Sequence, residues 1–257
     1  MKNSYLLLTI FFLALTSCSS DDAAPVTPEE PQTIKLVSQT IATGWAGMTT
    51  TSDWTYNGQK LVSIVSDNGT SQVFTYNGDQ IVGIETTNEF GEVTNDTFEY
   101  DAQGRITVHY DLSVAWGRKE VYEYPDTDTV TVTKFFGSNL SQTQVVMTGT
   151  MEISNGEIVH TKTVNVDSGY ARTCDYTYDN SNSPTRNITG YDKIAGLLAT
   201  NQKGIMRNVL TNTQTTEGSP ESVLVTKTYT YDQDNYPTRI ASSDPLDGDS
   251  GIVQFVY

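Results

Sequence analysis

Cysteine is nearly absent from this chain: Cys18 and Cys174 are the only two among 257 residues. Metal sites of the Cys-x-x-Cys type are therefore excluded, because they need closely spaced cysteine pairs. A framework of several disulfides is excluded for the same reason. The residues around Cys174 alternate in polarity like a strand, so we predict a buried structural thiol there.

Histidine is equally scarce, with only His109 and His160. A Ser-His-Asp triad would have to use one of them, and no Gly-x-Ser-x-Gly motif presents a serine nucleophile. Neither histidine belongs to a His-Glu-x-x-His motif, which disfavours a zinc site. Strand alternation places His109 on the face of Thr107 and Asp111, so we predict that it lies at the surface. The face of His160 is ambiguous.

Basic residues are also few in this chain. Lys and Arg number 15 against 31 Asp and Glu, for a formal net charge of −16. Such a chain repels phosphate backbones and has no basic patch, so nucleic-acid binding is disfavoured. The same charge favours a soluble monomer. Acids are too numerous to identify a catalytic pair, and the acidic loop at 244–251 lacks the spacing of an EF-hand. We therefore expect no catalytic, cofactor or metal residue.

Only one long hydrophobic run occurs, from Tyr5 to Leu15. It is shorter than the roughly 20 residues of a transmembrane helix, and with Lys2 before it the run is typical of a secretion signal. The run ends in Leu15-Thr16-Ser17-Cys18. This motif resembles the lipobox of bacterial lipoproteins, which implies that residues 1–17 are a signal peptide and that Cys18 is acylated and bound to a lipid bilayer. An ordinary signal peptide with a chance cysteine is the alternative.

Residues 18–32 are rich in proline and acid and have almost no apolar side chain to bury. We predict an extended tether there, followed by one folded domain at residues 33–257. The acidic pair Asp21 and Asp22 resembles the surface-export signal of Bacteroidota lipoproteins, whereas a periplasmic linker is the alternative. The expected location is the outer membrane, at the cell surface or on the periplasmic face.

A repeat of about twenty residues carries the strongest structural signal. Segments 55–64 and 75–84 share the start Thr-Tyr-Asn-Gly, and looser copies begin near Tyr100, Tyr178 and Tyr231. The Asn-Gly pair favours a tight hairpin turn, and the flanking Thr, Val, Tyr and Ile favour strands. A second turn closes each unit, so every repeat predicts two strands of an antiparallel meander.

These signals predict an all-β fold. We expect a single antiparallel meander sheet of about 12–14 strands, curled into a closed or nearly closed soluble barrel; the strands are least well defined within 114–146. Ile194, Leu197 and Leu198 have helical spacing, which predicts one short helix or plug-like loop near 189–210. Such an apolar insertion needs a surface to pack on, most simply across an opening of the sheet.

The Tyr-Asn-Gly and Tyr-Asp-x-x-Gly-Arg units are similar to the YD repeats of Rhs-type proteins. Together with the lipobox and the acidic tether, they resemble a group of uncharacterised Bacteroidota lipoproteins with a porin-like β fold. The resemblance implies that architecture and provides no catalytic residue. It does not imply a membrane-spanning barrel, because Thr, Ser, Asn and charges occupy the strand face that would contact lipid.

Tryptophan offers the one hint of a ligand site. Trp45 and Trp116 have glycine neighbours, which predicts turns where an aromatic ring forms a possible ligand platform for a sugar; packing in the core is the alternative. We expect a non-enzymatic binding or scaffold module of the cell envelope, whose partner is a glycan or another envelope protein, or a purely structural envelope part. The alternative is a glycan hydrolase that uses a carboxylate pair.

Overall fold

The computed structural model describes residues 34–44, 47–198, 204–219, 221–244 and 249–257. They form a closed barrel of sixteen antiparallel strands in chain order, in which the first strand pairs with the last. The elements are β1 (Gln39–Thr43), β2 (Thr49–Asn57), β3 (Lys60–Ser66), β4 (Ser71–Asn77), β5 (Gln80–Thr87), β6 (Val93–Tyr100), β7 (Ile106–Leu112), β8 (Gly117–Glu123), β9 (Thr129–Ser138), β10 (Ser141–Ser154), β11 (Glu157–Asn165), β12 (Ala171–Tyr178), α1 (Tyr191–Leu198), β13 (Val209–Thr216), β14 (Val223–Tyr231), β15 (Pro237–Asp244) and β16 (Asp249–Val256).

The predicted fold class is confirmed: an all-β meander closes into a barrel and carries one short helix. The barrel has sixteen strands rather than the expected 12–14 or so. The stretch 114–146, where the repeat is weakest, contains β8, β9 and the start of β10. These strands lack the Tyr-Asn-Gly signature, so the sequence does not mark the positions of their turns.

Strand alternation separates an apolar inner face from a polar outer face. On β9, Val130 and Val132 are buried, and Lys134 follows them on the inner face, where it binds a carboxylate. The exposed side chains of the strands include many threonines and charges, among them Asp53, Glu85, Glu99, Lys162, Asp175, Thr55, Thr75, Thr148, Thr150, Thr228 and Thr230. Exposed valines also occur on β3 and β4 at positions 62, 65 and 73.

A β-bulge recurs at one place in the repeat. In the β4–β5 hairpin, Tyr76 pairs with Ile81 but Thr75 pairs with Gly83, so Val82 is an extra residue. The strand pairs β2–β3, β6–β7, β12–β13 and β14–β15 shift register at the equivalent tyrosine. Because a bulge reverses the side-chain alternation, residues three apart share the inner face, and Ile81 and Ile84 are both buried.

This bulge overturns the surface prediction for His109. Thr107 is the extra residue between the pairs Tyr100–Ile106 and Glu99–Val108. His109 therefore occupies the inward position that Ile84 holds in the preceding unit, and it is only 7 % exposed. Uninterrupted alternation from Ile106 gives the wrong face for every residue after the bulge.

The connection between β12 and β13 crosses one end of the barrel. We call its described part, residues 179–198 and 204–208, the plug. Thr189 N donates to Gln59 O at 3.0 Å in the β2–β3 turn, and Asn182 N donates to Asn235 O at 2.9 Å in the β14–β15 turn. Ile194 of α1 is buried in the main core cluster. The predicted helix or plug is thus confirmed; no helix in the described part of the chain is long and apolar enough to cross a membrane.

A buried carboxylate holds the far end of the plug. Glu157, at the start of β11, is 1 % exposed. Its two oxygens accept hydrogen bonds from the backbone N–H groups of Ile205, Met206 and Arg207 at 2.7–2.8 Å. Hydrogen bonds to a charged acceptor are stronger than neutral ones, so this carboxylate fixes the plug to the β10–β11 hairpin.

Candidate functional site

A cavity of about 240 Å³ lies between the plug and the inner face of the wall formed by β13–β16, β1 and β2. Three aromatic side chains line it: Trp54, Tyr229 and Phe255. Ile240 and Val253 complete the apolar part of the wall. Small-molecule sites in proteins combine such apolar walls with a few polar groups.

The aromatic rings of the cavity are held by hydrogen bonds at their polar atoms. Trp54 Nε1 donates to Thr40 Oγ1 at 3.3 Å, and Tyr229 OH donates to Val209 O at 2.6 Å. Burial is the main cause that raises the pKa of Tyr229, so its hydroxyl stays protonated at neutral pH. Because their polar atoms are already bonded, the two rings contribute apolar surface to the cavity.

Four serine and threonine residues and the amide of Asn208 belong to the polar lining of the cavity. Ser183 and Thr185 come from the plug, and Thr40 and Ser242 come from β1 and β15. Ser242 Oγ donates to Gly251 O at 3.3 Å. Lys227 is the one charged residue in the described part of the lining, and it already has an interaction within the protein.

A second polar group of residues lies on the inner face of β6–β9, and His109 is at its centre. His109 Nε2 lies 2.6 Å from Asp96 Oδ1, and its Nδ1 lies 3.8 Å from Glu120 Oε2. The imidazole stacks on Phe98 with a centroid distance of 4.9 Å. Burial lowers the pKa of His109, but Asp96 and Glu120 outweigh this and raise it to about 9. His109 is therefore an imidazolium at neutral pH.

Glu120 connects this histidine to two further groups. Lys134 Nζ lies 2.7 Å from Glu120 Oε1, and Tyr122 OH donates to Glu120 Oε2. Burial raises the pKa of Glu120, yet His109, Lys134 and Tyr122 together bring it down to about 2. The carboxylate is thus ionised and fully engaged.

The outer members of this group are more loosely held. Asp111 Oδ2 lies 3.6 Å from Arg118 Nη1, and the Arg118 side chain is 60 % exposed, so water reaches the inner face here. Burial, followed by the charge of Asp96, raises the pKa of Asp111. The Arg118 guanidinium lies 4.8 Å from the centroid of the Trp116 ring.

The charges of this group balance. Three acids face three bases, and the set comprises Asp96, Asp111, Glu120, His109, Arg118 and Lys134. General acid–base catalysis by two carboxylates needs groups that are free to exchange protons with a substrate. Asp96 and Glu120 are instead bound to His109 and Lys134, so we assign the group a structural role. No group of acids, histidines and cysteines in the described ranges has the arrangement of a metal site.

The sequence-predicted residues are distributed differently from expectation. Trp116 lies in the β7–β8 turn and is partly buried, and it does not belong to the described lining of the cavity. Trp45 and Cys18 lie outside the described residues. Trp54 packs against the core cluster and also lines the cavity. Cys174 is buried and free, as predicted.

The charged group on β6–β9 escaped sequence reasoning. The repeat contains a signal for it. When the repeat units are aligned with one another, His109 falls at the position of Ile64 and Ile84, which point inward. The structure also settles which face of the sheet His160 occupies. Its Nδ1 lies 2.6 Å from Oδ1 of Asp175, which is exposed on the outer face.

No protein-family model matches the sequence, and no curated protein is similar to it. Two porin-like proteins are among the solved structures that share its fold. A porin-like protein from Bacteroides vulgatus ATCC 8482 aligns with a TM-score of 0.61 at 15 % identity, over 86 % of this chain and 98 % of that one. A porin-like protein from Bacteroides uniformis ATCC 8492 aligns with a TM-score of 0.53 at 13 % identity, over 86 % and 97 %. At such identities the likeness establishes the porin-like barrel fold alone.

Proposed function

We propose that this chain is a lipid-anchored, water-soluble barrel of the bacterial envelope that binds a ligand in its interior and performs no catalysis. The observation that carries the proposal is the cavity between plug and barrel wall, with its three aromatic side chains. The porin-like likeness to two Bacteroides proteins and the signal-like start of the chain favour an envelope location.

The outer face supports a barrel in water. A lipid-facing barrel surface is an apolar band, in which a charge near the bilayer centre costs roughly 2–4 kcal/mol. Glu85, Glu99 and Lys162 are exposed on the strands of this barrel instead. Attachment through acylated Cys18 supplies the membrane contact that the strands do not offer.

The alternative of a glycan hydrolase has weaker support. Asp111 has a raised pKa, as a general acid requires. Its neighbours Asp96 and Glu120, however, are bound to His109 and Lys134. A second, free carboxylate is needed for either glycosidase mechanism.

Radiolabelled palmitate tests the anchor. Wild type should incorporate the label and sediment with membranes, and Cys18→Ala should do neither. The Cys18→Ala protein should also be monomeric in buffer without detergent. Protease treatment of intact cells then distinguishes the surface from the periplasm. A Cys18→Ala protein that stays in the membrane, or a purified protein that releases new reducing ends from envelope glycans, would contradict the proposal.

A further inference from the structure

The cavity's walls have the chemistry of a sugar site. The carbon-bound hydrogens of a pyranose ring stack on aromatic faces, and Trp54, Tyr229 and Phe255 bring three such rings to one small space. Because Trp54 and Tyr229 use their polar atoms on Thr40 and Val209, both rings are held in place before a ligand arrives. Preorganised aromatic surface of this kind lowers the entropic cost of binding.

The polar part of the cavity matches the other side of a sugar. Hydroxyls of Thr40, Ser183, Thr185 and Ser242 line it, and a hydroxyl both donates and accepts. Sugar hydroxyls have the same dual capacity, so either partner can adapt. These hydroxyls already have one partner each within the protein, because Thr40 accepts from Trp54, Ser242 donates to Gly251 O, and Ser183 and Thr185 bond each other. A hydroxyl can form further hydrogen bonds beyond its first. A sugar can use that remaining capacity, whereas an aliphatic ligand cannot.

The size and charge of the cavity further limit the class of ligand that it can bind. The cavity holds about 240 Å³, which is room for one ring-sized polar molecule and not for a long chain. Lys227, the only charged residue among the described residues that line the cavity, already has an interaction within the protein. The described lining therefore offers a charged ligand no counter-charge that is not already in use.

We infer that this cavity binds one uncharged sugar unit, such as the terminal unit of a glycan. The inference rests on the proposed function and specifies its ligand and its place. It locates the site at Trp54, Tyr229 and Phe255, and not at the turn residue Trp116.

The test uses the full chain carrying Cys18→Ala, so that it is free of lipid. Methyl α-mannoside, methyl β-galactoside and N-acetylglucosamine serve as probes, observed by saturation-transfer NMR and calorimetry. At least one should bind with a dissociation constant of about 1 mM or lower. Ser242→Leu, which fills the cavity, should weaken that binding about tenfold or more. Trp54→Leu, which keeps an apolar side chain and removes the ring, should weaken it similarly.

Trp116→Ala is the matched control, since it removes an aromatic ring outside the cavity. It should bind the probe like the parent. Three outcomes would overturn the inference: none of the probes binds, binding depends on Trp116 and not on the cavity variants, or the cavity takes up a fatty acid or apolar dye that Ser242→Leu excludes. None of these would affect the palmitate and solubility results, so failure of the sugar site is distinguishable from failure of the proposed function.

Discussion

The hydroxyl groups of the repeat tyrosines bind backbone atoms that the strand ladder leaves unpaired. Pairing between β5 and β6 stops at Gly83 and Thr97, short of Ile81, and Tyr100 OH donates to Ile81 O at 2.5 Å. Equivalent bonds join four other tyrosines to carbonyls 18–20 residues earlier: Tyr124–Ile106, Tyr178–Ile158, Tyr229–Val209 and Tyr257–Pro237. A buried carbonyl without a partner is costly, which explains why tyrosine recurs once per repeat.

Tyr100→Phe should therefore lower the free energy of unfolding by about 1–2 kcal/mol, because it leaves Ile81 O without its donor. Urea denaturation measures this directly. Tyr56→Phe is the matched control: Tyr56 OH is buried and has no hydrogen-bond partner. Its removal should be neutral or slightly stabilising. Equal losses from the two substitutions would refute the role given to the hydroxyl bonds.

His109 makes stability depend on pH. Its pKa is raised from 6.5 to about 9 in the folded state, so its contribution is complete below about pH 6.5 and disappears as pH rises through 9. The stability difference between wild type and His109→Gln should shrink over that range by roughly 2–3 kcal/mol. The pKa of Glu120, lowered to about 2, preserves its own contribution until strongly acid pH.

Denaturation curves of both proteins at a series of pH values test this dependence. His160→Gln is the control, because the contact of His160 with Asp175 lies on the exposed outer side, where such contacts contribute little to stability. A wild-type advantage that stays constant or grows between pH 6.5 and 9.5 would show that His109 is neutral in the folded protein.

At the scale of elements, the plug depends on a backbone contact that only glycine permits. Gly190 has φ +73, and a Cβ there would lie 2.4 Å from Asp79 O in the β4–β5 turn. The turn itself uses Gly78 with φ +57, where a Cβ would meet nothing within 4 Å. The two glycines thus share backbone strain but differ in their surroundings.

Gly190→Ala should destabilise the protein by more than Gly78→Ala, whose cost is limited to about 1–2 kcal/mol of left-handed strain. The extra clash forces the plug away from the barrel. Hydrogen exchange of amides in α1 should speed up in Gly190→Ala and stay slow in Gly78→Ala. Identical exchange in the two variants would mean that the plug does not dock at this turn.

At the scale of the whole molecule, closure joins the two ends of the folded domain. Ser38 N donates to Val256 O at 2.7 Å, and β1 pairs with β16 along its length. A closed sheet has no edge strand to pair with another chain. Opening the seam would expose the unpaired edges of two strands.

A circular permutant that joins the two ends by a short Gly-Ser linker and opens the chain in the β5–β6 turn, at 88–92, should therefore stay folded and monomeric. Deletion of residues 249–257 should instead cause aggregation, because it leaves β1 and β15 unpaired. Size-exclusion chromatography with light scattering separates these outcomes. A monomeric, cooperatively melting deletion variant would contradict the importance of closure.

Local chemistry was enough for the sequence to determine the hairpins. Asn-Gly turns and β-forming residues act over a few positions, so 55–64 and 75–84 were placed correctly, and the spacing around Ile194 predicted the helix. Only the tertiary structure determined the other features. They are the bulge that turns His109 inward, the proximity of Asp96, Glu120 and Lys134 from three different strands, the cavity beside Trp54, and the closure of the barrel at sixteen strands. These features depend on register and on contacts between residues up to 218 positions apart, and pairing over such distances is set by the packing of the whole sheet and not by any local pattern.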